Sequence, residues 1–300
     1  MTEARTNNDL CGQAVLYCND IRDIHRMVSY FDRAAGQAIK EGFDGRVLLS
    51  FGDCSPSSCL PASDLEILRT NSHHIEIEYE FYDANLGYGG GNNRLLPKSN
   101  SHYILILNPD VMVEPFLLVH MFAKLGEENV GFVEARQLPI EHPKYYDPKT
   151  GDTGWGSCAC AMMERGTFEK IGAFDHETFF MYGDDVDISW RMRLAGKRVV
   201  MEPKAIAYHD KKLKNDGSWD PSPAEIRFSA ECALYLPYKY SRQDVCDRVL
   251  KQFKAIPKQP YIDVCKDFDE RLRTNRLPQQ IDPDNAVAEF VDGNYTRHRC

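Results

Sequence analysis

Apolar runs bounded by turn residues recur along the first half of the chain and predict a series of short strands. The predicted strands are Ala14–Cys18, Arg46–Phe51, Ile75–Tyr82, Tyr103–Leu107, Val130–Glu134 and Cys158–Met163. Amphipathic stretches between them predict helices, the first capped by Asp20 and ended by Gly42, and others over Ser63–Arg69 and Phe116–Leu125. This alternation predicts an α/β domain with a largely parallel sheet, whose sites lie at the carboxyl ends of the strands.

The second half of the chain continues this pattern and then becomes polar and helical. A helix is predicted over Asp184–Ala195, followed by short strands at Arg198–Met201 and Ala205–Tyr208. Three helices separated by prolines are predicted at Pro223–Leu236, Arg242–Ile256 and Tyr261–Arg273, with polar loops at Leu138–Asp152 and Lys211–Pro223 and partial disorder over Leu277–Cys300. We therefore divide the chain into an α/β domain, residues 1–210, and a C-terminal helical extension, residues 211–300.

Composition narrows the class of protein. The chain of 300 residues carries a net charge of −9, which argues against nucleic acid as a partner because neutralising its backbone needs a basic surface. The first residues lack the apolar core of a signal peptide, and no apolar run is long enough for a transmembrane helix, so we expect a cytoplasmic protein. The ten cysteines are then expected to be reduced thiols, and the absence of a CxxC pair argues against structural zinc.

Three polar segments could carry chemistry. Asn108–Val111 ends an apolar run and leaves Asp110 at the mouth of a predicted buried strand, where it could be a turn residue or a ligand of Mn²⁺ or Mg²⁺. His209 follows a later strand and could either complete the same metal coordination shell or have a purely structural role. The glycine-rich stretch Asn85–Asn93 and the acidic stretch Gly183–Asp187 are the other two.

The glycine-rich stretch matches neither common phosphate-binding motif. It lacks the Gly-Lys-Ser/Thr of a P-loop, and Asn92 stands where a dinucleotide fingerprint needs a third glycine. It is therefore interpreted either as a flexible turn or as a loop whose backbone closely approaches a ligand, with Asn85 and Asn93 supplying side-chain amides.

The acidic stretch places three aspartates in the first turn of a predicted helix, where the helix dipole favours negative charge. Asp187 and Arg191 are four residues apart, so a surface ion pair is expected for Asp187. Asp184 and Asp185 follow the apolar segment Phe179–Gly183, which could partly desolvate a carboxylate and raise its proton affinity, as a general base requires.

Taken together, these motifs resemble family 2 glycosyltransferases, and in particular the rhamnosyltransferase-like branch of bacterial polysaccharide assembly. The resemblance rests on NLGYGGGNN at Asn85–Asn93, LILNPDV at Leu105–Val111 and FEKIGAFDHETFFMYGDDVDISWRMRLAGKR at Phe168–Arg198, followed by His209. It spans roughly Ala14–His209, and its motifs are specific in combination because their order and spacing also fit.

The resemblance implies a GT-A fold, with a mostly parallel central sheet flanked by helices. It implies an inverting glycosyltransferase that moves a sugar from a nucleotide-diphospho-sugar, either dTDP-rhamnose or a UDP-hexose, to a glycan or lipid-linked acceptor hydroxyl with Mn²⁺ or Mg²⁺. Two alternatives stay open: a non-catalytic nucleotide-sugar or glycan-binding module, and a sugar nucleotidyltransferase. The nucleotidyltransferase is disfavoured because the segment after Cys18 has no glycine-rich basic loop.

The resemblance also implies roles for individual residues. It makes Asp185 the catalytic base, with Asp184 beside it, and it makes Asp110 and His209 the metal ligands. It assigns the acceptor wall to Trp155 and Gly156. The residues that it assigns to binding of the nucleotide-sugar are Asp53, Asn85, Gly87, Gly90, Asn93 and Asn108. The chain departs from the family pattern at Asn108, which replaces the first aspartate of a DxD motif, and at Asp184, a shorter first acid.

The C-terminal extension allows three interpretations: a lid, a homodimer contact or a peripheral membrane contact. Lys251 and Lys254 contribute positive charge, but Asp244 and Asp247 interrupt it, which favours a solvated helix face. A lipid-linked acceptor would still bring the enzyme to the inner face of the membrane.

Overall fold

The structure, a computed structural model, describes residues 8–211, 214–215 and 220–295. The N-terminal stretch inspected for a signal peptide lies almost wholly outside the described residues. So do parts of the predicted Lys211–Pro223 loop and the end of the Leu277–Cys300 segment.

One eight-stranded sheet forms the centre of the molecule, in the order β3-β2-β1-β4-β7-β6-β8-β5. The strands are β1 Leu10–Leu16, β2 Val47–Asp53, β3 Glu76–Phe81, β4 Tyr103–Leu107, β5 Val111–Val113, β6 Val130–Leu138, β7 Cys160–Glu164 and β8 Arg198–His209. Strands β3, β2, β1 and β4 are parallel, as are β6 and β8, whereas β7 is antiparallel to both its neighbours and β5 to β8. The predicted α/β class and its mostly parallel sheet are confirmed.

Helices cover both faces of the sheet. They are α1 Ile21–Lys40, α2 Ala62–Asn71, α3 Gly87–Leu95, α4 Leu117–Leu125, α5 Arg165–Lys170, α6 Asp184–Leu194, α7 Pro223–Lys239, α8 Gln243–Lys254 and α9 Gln259–Arg273. Asp20 caps α1 as predicted, because its carboxylate accepts a hydrogen bond from the backbone N–H of Arg22 at 2.9 Å.

Successive side chains of a strand point to opposite faces of the sheet, so each buried strand contributes to the apolar core on both faces. Leu105 and Leu107 of β4 belong to one apolar cluster with residues of α1, α2 and α4, whereas Ile104 and Ile106 belong to another with residues of α5 and α6. A third apolar cluster joins α6 to the C-terminal helices and includes Trp190. Within the described ranges, no helix is both long and apolar enough to span a membrane.

The structure corrects several predicted boundaries. The first strand begins at Leu10 rather than Ala14, and the glycine-rich stretch is helix α3 rather than a loop. The two strands predicted between Arg198 and Tyr208 form a single strand, β8, with irregular pairing to β6 at Ala135–Arg136. Periodicity did not indicate β5 or α5, each of which is very short.

The C-terminal part differs from prediction in two places. Pro237 lies inside α7 instead of ending it. In the described part of Leu277–Cys300, Val287 and Ala288 are buried, and Asp282 accepts hydrogen bonds from the backbone N–H groups of residues 286–288. That part is packed against the third apolar cluster rather than disordered.

Candidate active site

The antiparallel pairing of β5 with β8 brings the two predicted metal ligands together. Val111 pairs with His209, so Asp110, one residue earlier, faces the same imidazole, and its Oδ2 lies 3.4 Å from His209 Nε2. His209 Nδ1 lies 3.0 Å from Gln137 Oε1 on the neighbouring strand. With Nδ1 donating to Gln137, Nε2 directs its lone pair at the Asp110 carboxylate, and two facing acceptors suit a cation between them.

This pair offers two protein ligands, an imidazole nitrogen and a carboxylate oxygen. No group of three or more His, Cys, Asp or Glu side chains arranged for metal binding occurs in the part of the chain that the structure describes. Two protein ligands are enough for a divalent cation when substrate phosphates and water complete its coordination shell.

A second acidic site lies at the start of α6. The preceding residues, Tyr182 and Gly183, have left-handed backbone conformations, with φ of 65° and 78°. This turn places Asp184 and Asp185 in the first turn of the helix, Asp184 buried at 5% exposure and Asp185 half-buried. The backbone N–H of Val186 donates to Asp185 Oδ1 at 2.8 Å.

Burial changes the proton affinity of both carboxyl groups. It raises the pKa of Asp184 well above its usual value, and the neighbouring charge of Asp185 adds to the effect. Burial also raises the pKa of Asp185, to about 6, against the opposing hydrogen bond from Val186 and the charge of Lys144. Asp185 is therefore ionised at neutral pH yet binds protons more readily than an ordinary aspartate, which suits a general base.

Tyr88 of α3 is close enough to both acidic sites for electrostatic interaction with them. Its hydroxyl lies 3.0 Å from Asn108 Oδ1 and 2.8 Å from the carbonyl oxygen of Cys158. Burial raises the pKa of Tyr88 well above its usual value, and nearby negative charges contribute, among them those of Asp184, Asp185 and Asp110. Tyr88 was not predicted from the sequence, because the glycines around it do not indicate a helix, and it is the helix that turns its ring inward.

Trp155 and Gly156, the predicted acceptor wall, lie beside α6. The Gly156 N–H donates to Ser189 Oγ at 2.9 Å, and that hydroxyl donates to the carbonyl oxygen of Asp185 at 2.7 Å. The wall is thereby tied to the helix turn that carries the candidate base.

A buried ion pair supports this wall. The Lys144 ammonium pairs with Glu134, donates to the Trp155 carbonyl oxygen at 2.9 Å and lies 4.2 Å from the centre of its ring. Neither Lys144 nor Glu134 was singled out from the sequence, because each belongs to a different segment and only the fold joins them.

Asp53 is the last residue of β2, which runs two residues beyond its predicted end at Phe51, and its side chain is fully buried. Its carboxylate accepts hydrogen bonds from the backbone N–H groups of Ser55 and Cys59, both at 2.9 Å, and from the Tyr79 hydroxyl at 2.7 Å. Burial opposes ionisation, yet these hydrogen bonds hold the pKa of Asp53 below its usual value. Asp53 thus organises the turn after β2, and its contact with a nucleotide base stays a prediction.

The glycines of α3 are close-packed against other parts of the chain. A Cβ at Gly87 would lie 2.4 Å from the Phe180 carbonyl oxygen, and one at Gly90 would lie 3.2 Å from Leu86. Asn93 donates to the Phe174 carbonyl oxygen and accepts from its N–H, at 2.8 and 3.0 Å, while Asn85 accepts from the Gly87 N–H. These contacts give the motif a packing role, and nucleotide-sugar binding by Asn85, Gly87, Gly90 and Asn93 stays a prediction.

Gly87→Ala is expected to lower the free energy of unfolding by more than about 1 kcal/mol, because its φ of 70° and its contact with Phe180 both exclude a side chain. The matched control is Gly166→Ala, since Gly166 lies in α5 and the added Cβ would meet no atom within 4 Å beyond its chain neighbours and its own helix backbone. Urea unfolding of the two variants measures the difference. Equal midpoints would show that the packing of α3 does not require the glycine.

Asp187 differs from prediction. It pairs with Arg191 at 2.6 Å as the spacing indicates, but its side chain is fully buried rather than on the surface. It also pairs with Lys239 at 2.5 Å and accepts a hydrogen bond from the Tyr240 hydroxyl at 3.0 Å. Asp187 therefore attaches α7 to α6, and it leaves Asp185 as the half-exposed acid of this turn.

Comparison with known proteins gives one curated relative of particular relevance, an N-acetylglucosaminyl-diphospho-decaprenol L-rhamnosyltransferase of Mycobacterium tuberculosis. It is 38% identical over a region covering 43% of this chain and 57% of the relative. The chain thus spans little more than half the length of that relative. No family model matches the chain.

Two solved structures share the fold. GalNAc-T7, determined with UDP, GalNAc and Mn²⁺, superposes with a TM-score of 0.61 at 12% identity, over 93% of this chain and 57% of that protein. The mannosyltransferase PcManGT of Pyrobaculum calidifontis, in complex with GDP-Man and Mn²⁺, gives 0.57 at 12% identity, over 89% of this chain and 82% of that protein. The predicted GT-A fold and the resemblance to rhamnosyltransferase-like glycosyltransferases are confirmed.

Proposed function

We propose that this chain, which has the GT-A fold, is an inverting glycosyltransferase that uses a nucleotide-diphospho-sugar. The observation that carries the proposal is that Tyr88, which donates to Asn108, is close enough for electrostatic interaction with Asp110 as well as with Asp184 and Asp185. A potential metal site and a candidate base with a raised pKa thereby face one region at the carboxyl edge of the sheet. That arrangement suits a reaction with a charged leaving group at one end and a proton to remove at the other.

Asp185 accepts the proton of the acceptor hydroxyl in the proposed reaction. The acceptor oxygen bonds to the anomeric carbon as the bond from that carbon to the diphosphate oxygen breaks, so the configuration inverts and a nucleoside diphosphate leaves. Asp110 and His209 would hold a divalent cation, which when bound neutralises charge on the leaving diphosphate. Gln137 fixes the imidazole, and Tyr88 fixes Asn108 beside Asp110.

The relatives support the donor class. The curated relative is named a rhamnosyltransferase, and the two solved structures contain UDP with GalNAc or GDP-Man, each with Mn²⁺. We therefore propose dTDP-rhamnose or a UDP-hexose as donor, Mn²⁺ or Mg²⁺ as cofactor, and a glycan or lipid-linked acceptor in polysaccharide biosynthesis. Residues 1–210 would form the catalytic domain, and 211–300 an extension on the acceptor side.

A thermal-shift screen of dTDP-, UDP- and GDP-sugars with and without Mn²⁺ tests donor binding. We expect one nucleotide class to raise the melting temperature in a metal-dependent way, because a ligand that binds only the folded state stabilises it. Free nucleosides and unlinked sugars serve as controls. If no nucleotide-sugar stabilises the protein in the presence of metal, the proposed donor class is wrong.

The rate of transfer is expected to fall as the pH is lowered through about 6, the pKa to which burial raises Asp185. The sign follows from the role of a base, since only the ionised carboxylate accepts the proton. The acidic limb of kcat/KM against pH measures this midpoint. A limb centred near an ordinary aspartate pKa of about 3.9 would contradict the assignment.

A further inference from the structure

A cavity of about 990 Å³ lies beside the acceptor wall, away from the Asp110–His209 pair. Its walls come from the segment 143–155, the second half of α6, the start of β8 and the C-terminal segment 286–291 with Tyr295. This volume is at the upper end of the roughly 300–1,000 Å³ range of small-molecule sites, so it can hold more than one sugar ring.

The cavity wall is rich in aromatic rings. Trp155, Trp190, Tyr145 and Tyr295 line it, and the Tyr145 side chain is 76% exposed. Both indole N–H groups are buried and have no hydrogen-bond partner in the part of the chain that the structure describes. Buried donors without partners are rare, and both of these belong to residues that line the cavity. The exposed Tyr145 ring, with its apolar faces and polar hydroxyl, suits sugars, whose C–H faces stack on aromatic rings.

Three of the four cations on this wall pair with carboxylates, and Lys197 is the fourth. Arg198 pairs with Asp152 at 2.8 Å, Arg193 pairs with Glu289 at 3.1 Å, and Lys144 pairs with Glu134 behind the wall. A site for a diphosphate would instead present uncompensated cations, since an anion must find charge that no carboxylate has neutralised. Paired guanidinium and carboxylate groups offer many hydrogen bonds but little net charge, which favours a neutral polyol.

The wall is held in place by contacts across the sequence. Arg193 of α6 donates to the carbonyl oxygens of Gly154 and Val287, at 3.2 and 2.9 Å, and so joins two sides of the cavity. The Tyr295 ring packs edge-on against Trp155, with centroids 5.5 Å apart. The cavity is therefore built by the fold rather than left between loose segments.

The cavity lining does not include Asp185, but it shares Trp155 with the acceptor wall. That wall is tied to Asp185 through Ser189. Lys144 and Tyr295, which also line the cavity, are close enough for electrostatic interaction with Asp185. A ligand in the cavity would thus lie next to the acceptor wall, within electrostatic reach of the residues around Asp185.

We propose that this cavity binds the neutral glycan portion of the acceptor, at sugar residues beyond the one that is glycosylated. Naming the ligand an acceptor rests on the proposed function, whereas its chemistry as a neutral oligosaccharide rests on the cavity alone. Tyr145 and Val291, both exposed residues of the wall, are then specificity-determining residues of the site.

The test measures glycan binding without donor or metal, so that it does not depend on transfer. Neutral di-, tri- and tetrasaccharides of hexoses and N-acetylhexosamines are titrated against the whole chain, followed by saturation-transfer NMR and tryptophan fluorescence. Tyr145→Ala removes an exposed ring, and Val291→Trp fills the cavity from a position that is 43% exposed. Tyr30→Ala, which removes a tyrosine exposed on α1, is the matched control, and thermal melts check that each variant folds.

We expect at least one oligosaccharide to bind the native chain, more tightly than its monosaccharide. Both cavity variants should weaken that binding at least about tenfold, while Tyr30→Ala leaves it unchanged. Asp185→Asn should also bind the glycan as the native chain does, which separates this site from catalysis. The proposal is overturned if no oligosaccharide of the panel binds, or if either folded cavity variant retains native affinity. Binding without detectable transfer would support this site and contradict the proposed function.

Discussion

Asp185→Asn is expected to lower the turnover of sugar transfer by roughly 10²–10⁴-fold, the usual contribution of a positioned general base. The amide keeps the shape of the side chain but cannot accept the proton of the acceptor hydroxyl. Affinity for the nucleotide-sugar should change little, because the metal pair, Asp110 and His209, is untouched. Turnover measured under saturating donor and acceptor, together with donor affinity by calorimetry, separates these two effects.

Two further variants sharpen this experiment. Asp184→Asn should have a smaller effect on turnover, because burial already favours the protonated, uncharged form of Asp184, which asparagine imitates. Asp244→Asn, on the exposed first turn of α8, controls for a general change in surface charge. Near-native turnover by Asp185→Asn would remove Asp185 from the role of base, and a larger loss from Asp184→Asn would transfer that role to its neighbour.

Asp110→Ala is expected to weaken metal-dependent binding of the nucleotide-sugar and to reduce the transfer rate by roughly 10²-fold or more, since a Lewis-acid metal supplies several kcal/mol of charge stabilisation. The physical reason is the loss of one of two protein ligands, which leaves His209 alone on β8. Calorimetry with the donor, in the presence and absence of Mn²⁺, measures the coupling between metal and nucleotide.

The control for this variant is Asp267→Asn, a carboxylate on α9 that pairs with Arg227 far along the chain from the β5–β8 pairing. His209→Ala should reproduce the loss caused by Asp110→Ala, because the two side chains lie 3.4 Å apart and would share one ion. If Mn²⁺ strengthens donor binding equally in the native chain and in Asp110→Ala, the metal is not held at this pair.

The sequence predicts those parts of the fold that depend on local patterns. The run Tyr103–Leu107 is a strand in the structure, and Asp110 follows it as expected because Pro109 interrupts the apolar run. The helix at Asp184–Leu194 likewise begins where glycine and three acidic residues favour a helix start. A hydrophobic period, a capping residue and a terminating residue are enough to predict such elements from the sequence.

Features that depend on contacts between distant segments could not be predicted. Asp187 has the spacing of a surface pair with Arg191, but the fold adds Lys239, buries Asp187 and Lys239, and leaves the Arg191 side chain only 13% exposed. Asp53 has the position of a ligand-binding residue, yet Tyr79 and the turn after β2 occupy its carboxylate. Neither set of contacts can be predicted from a local sequence pattern, because the partners come from other strands and helices.

The glycine-rich stretch is interpreted from the sequence as a turn or loop but forms a helix in the structure. Its composition indicates a loop, since glycine disfavours helices by up to about 1 kcal/mol per residue relative to alanine. In the structure Gly89 and Gly91 instead let α3 approach Phe174 and Val15 at distances that a side chain would prevent. Tertiary packing overrides the helix propensity here, and Tyr88 is placed near both acidic sites as a result.

A product assay tests the central claim most directly. The native chain is incubated with Mn²⁺, the nucleotide-sugar class selected by thermal shift and glycan or lipid-linked acceptors, and the products are followed by mass spectrometry, with the new anomeric linkage assigned by NMR. The account predicts an acceptor enlarged by one sugar with inverted configuration and an equal amount of nucleoside diphosphate, both lost in Asp185→Asn. A product with retained configuration, or equal product from Asp185→Asn, would contradict it.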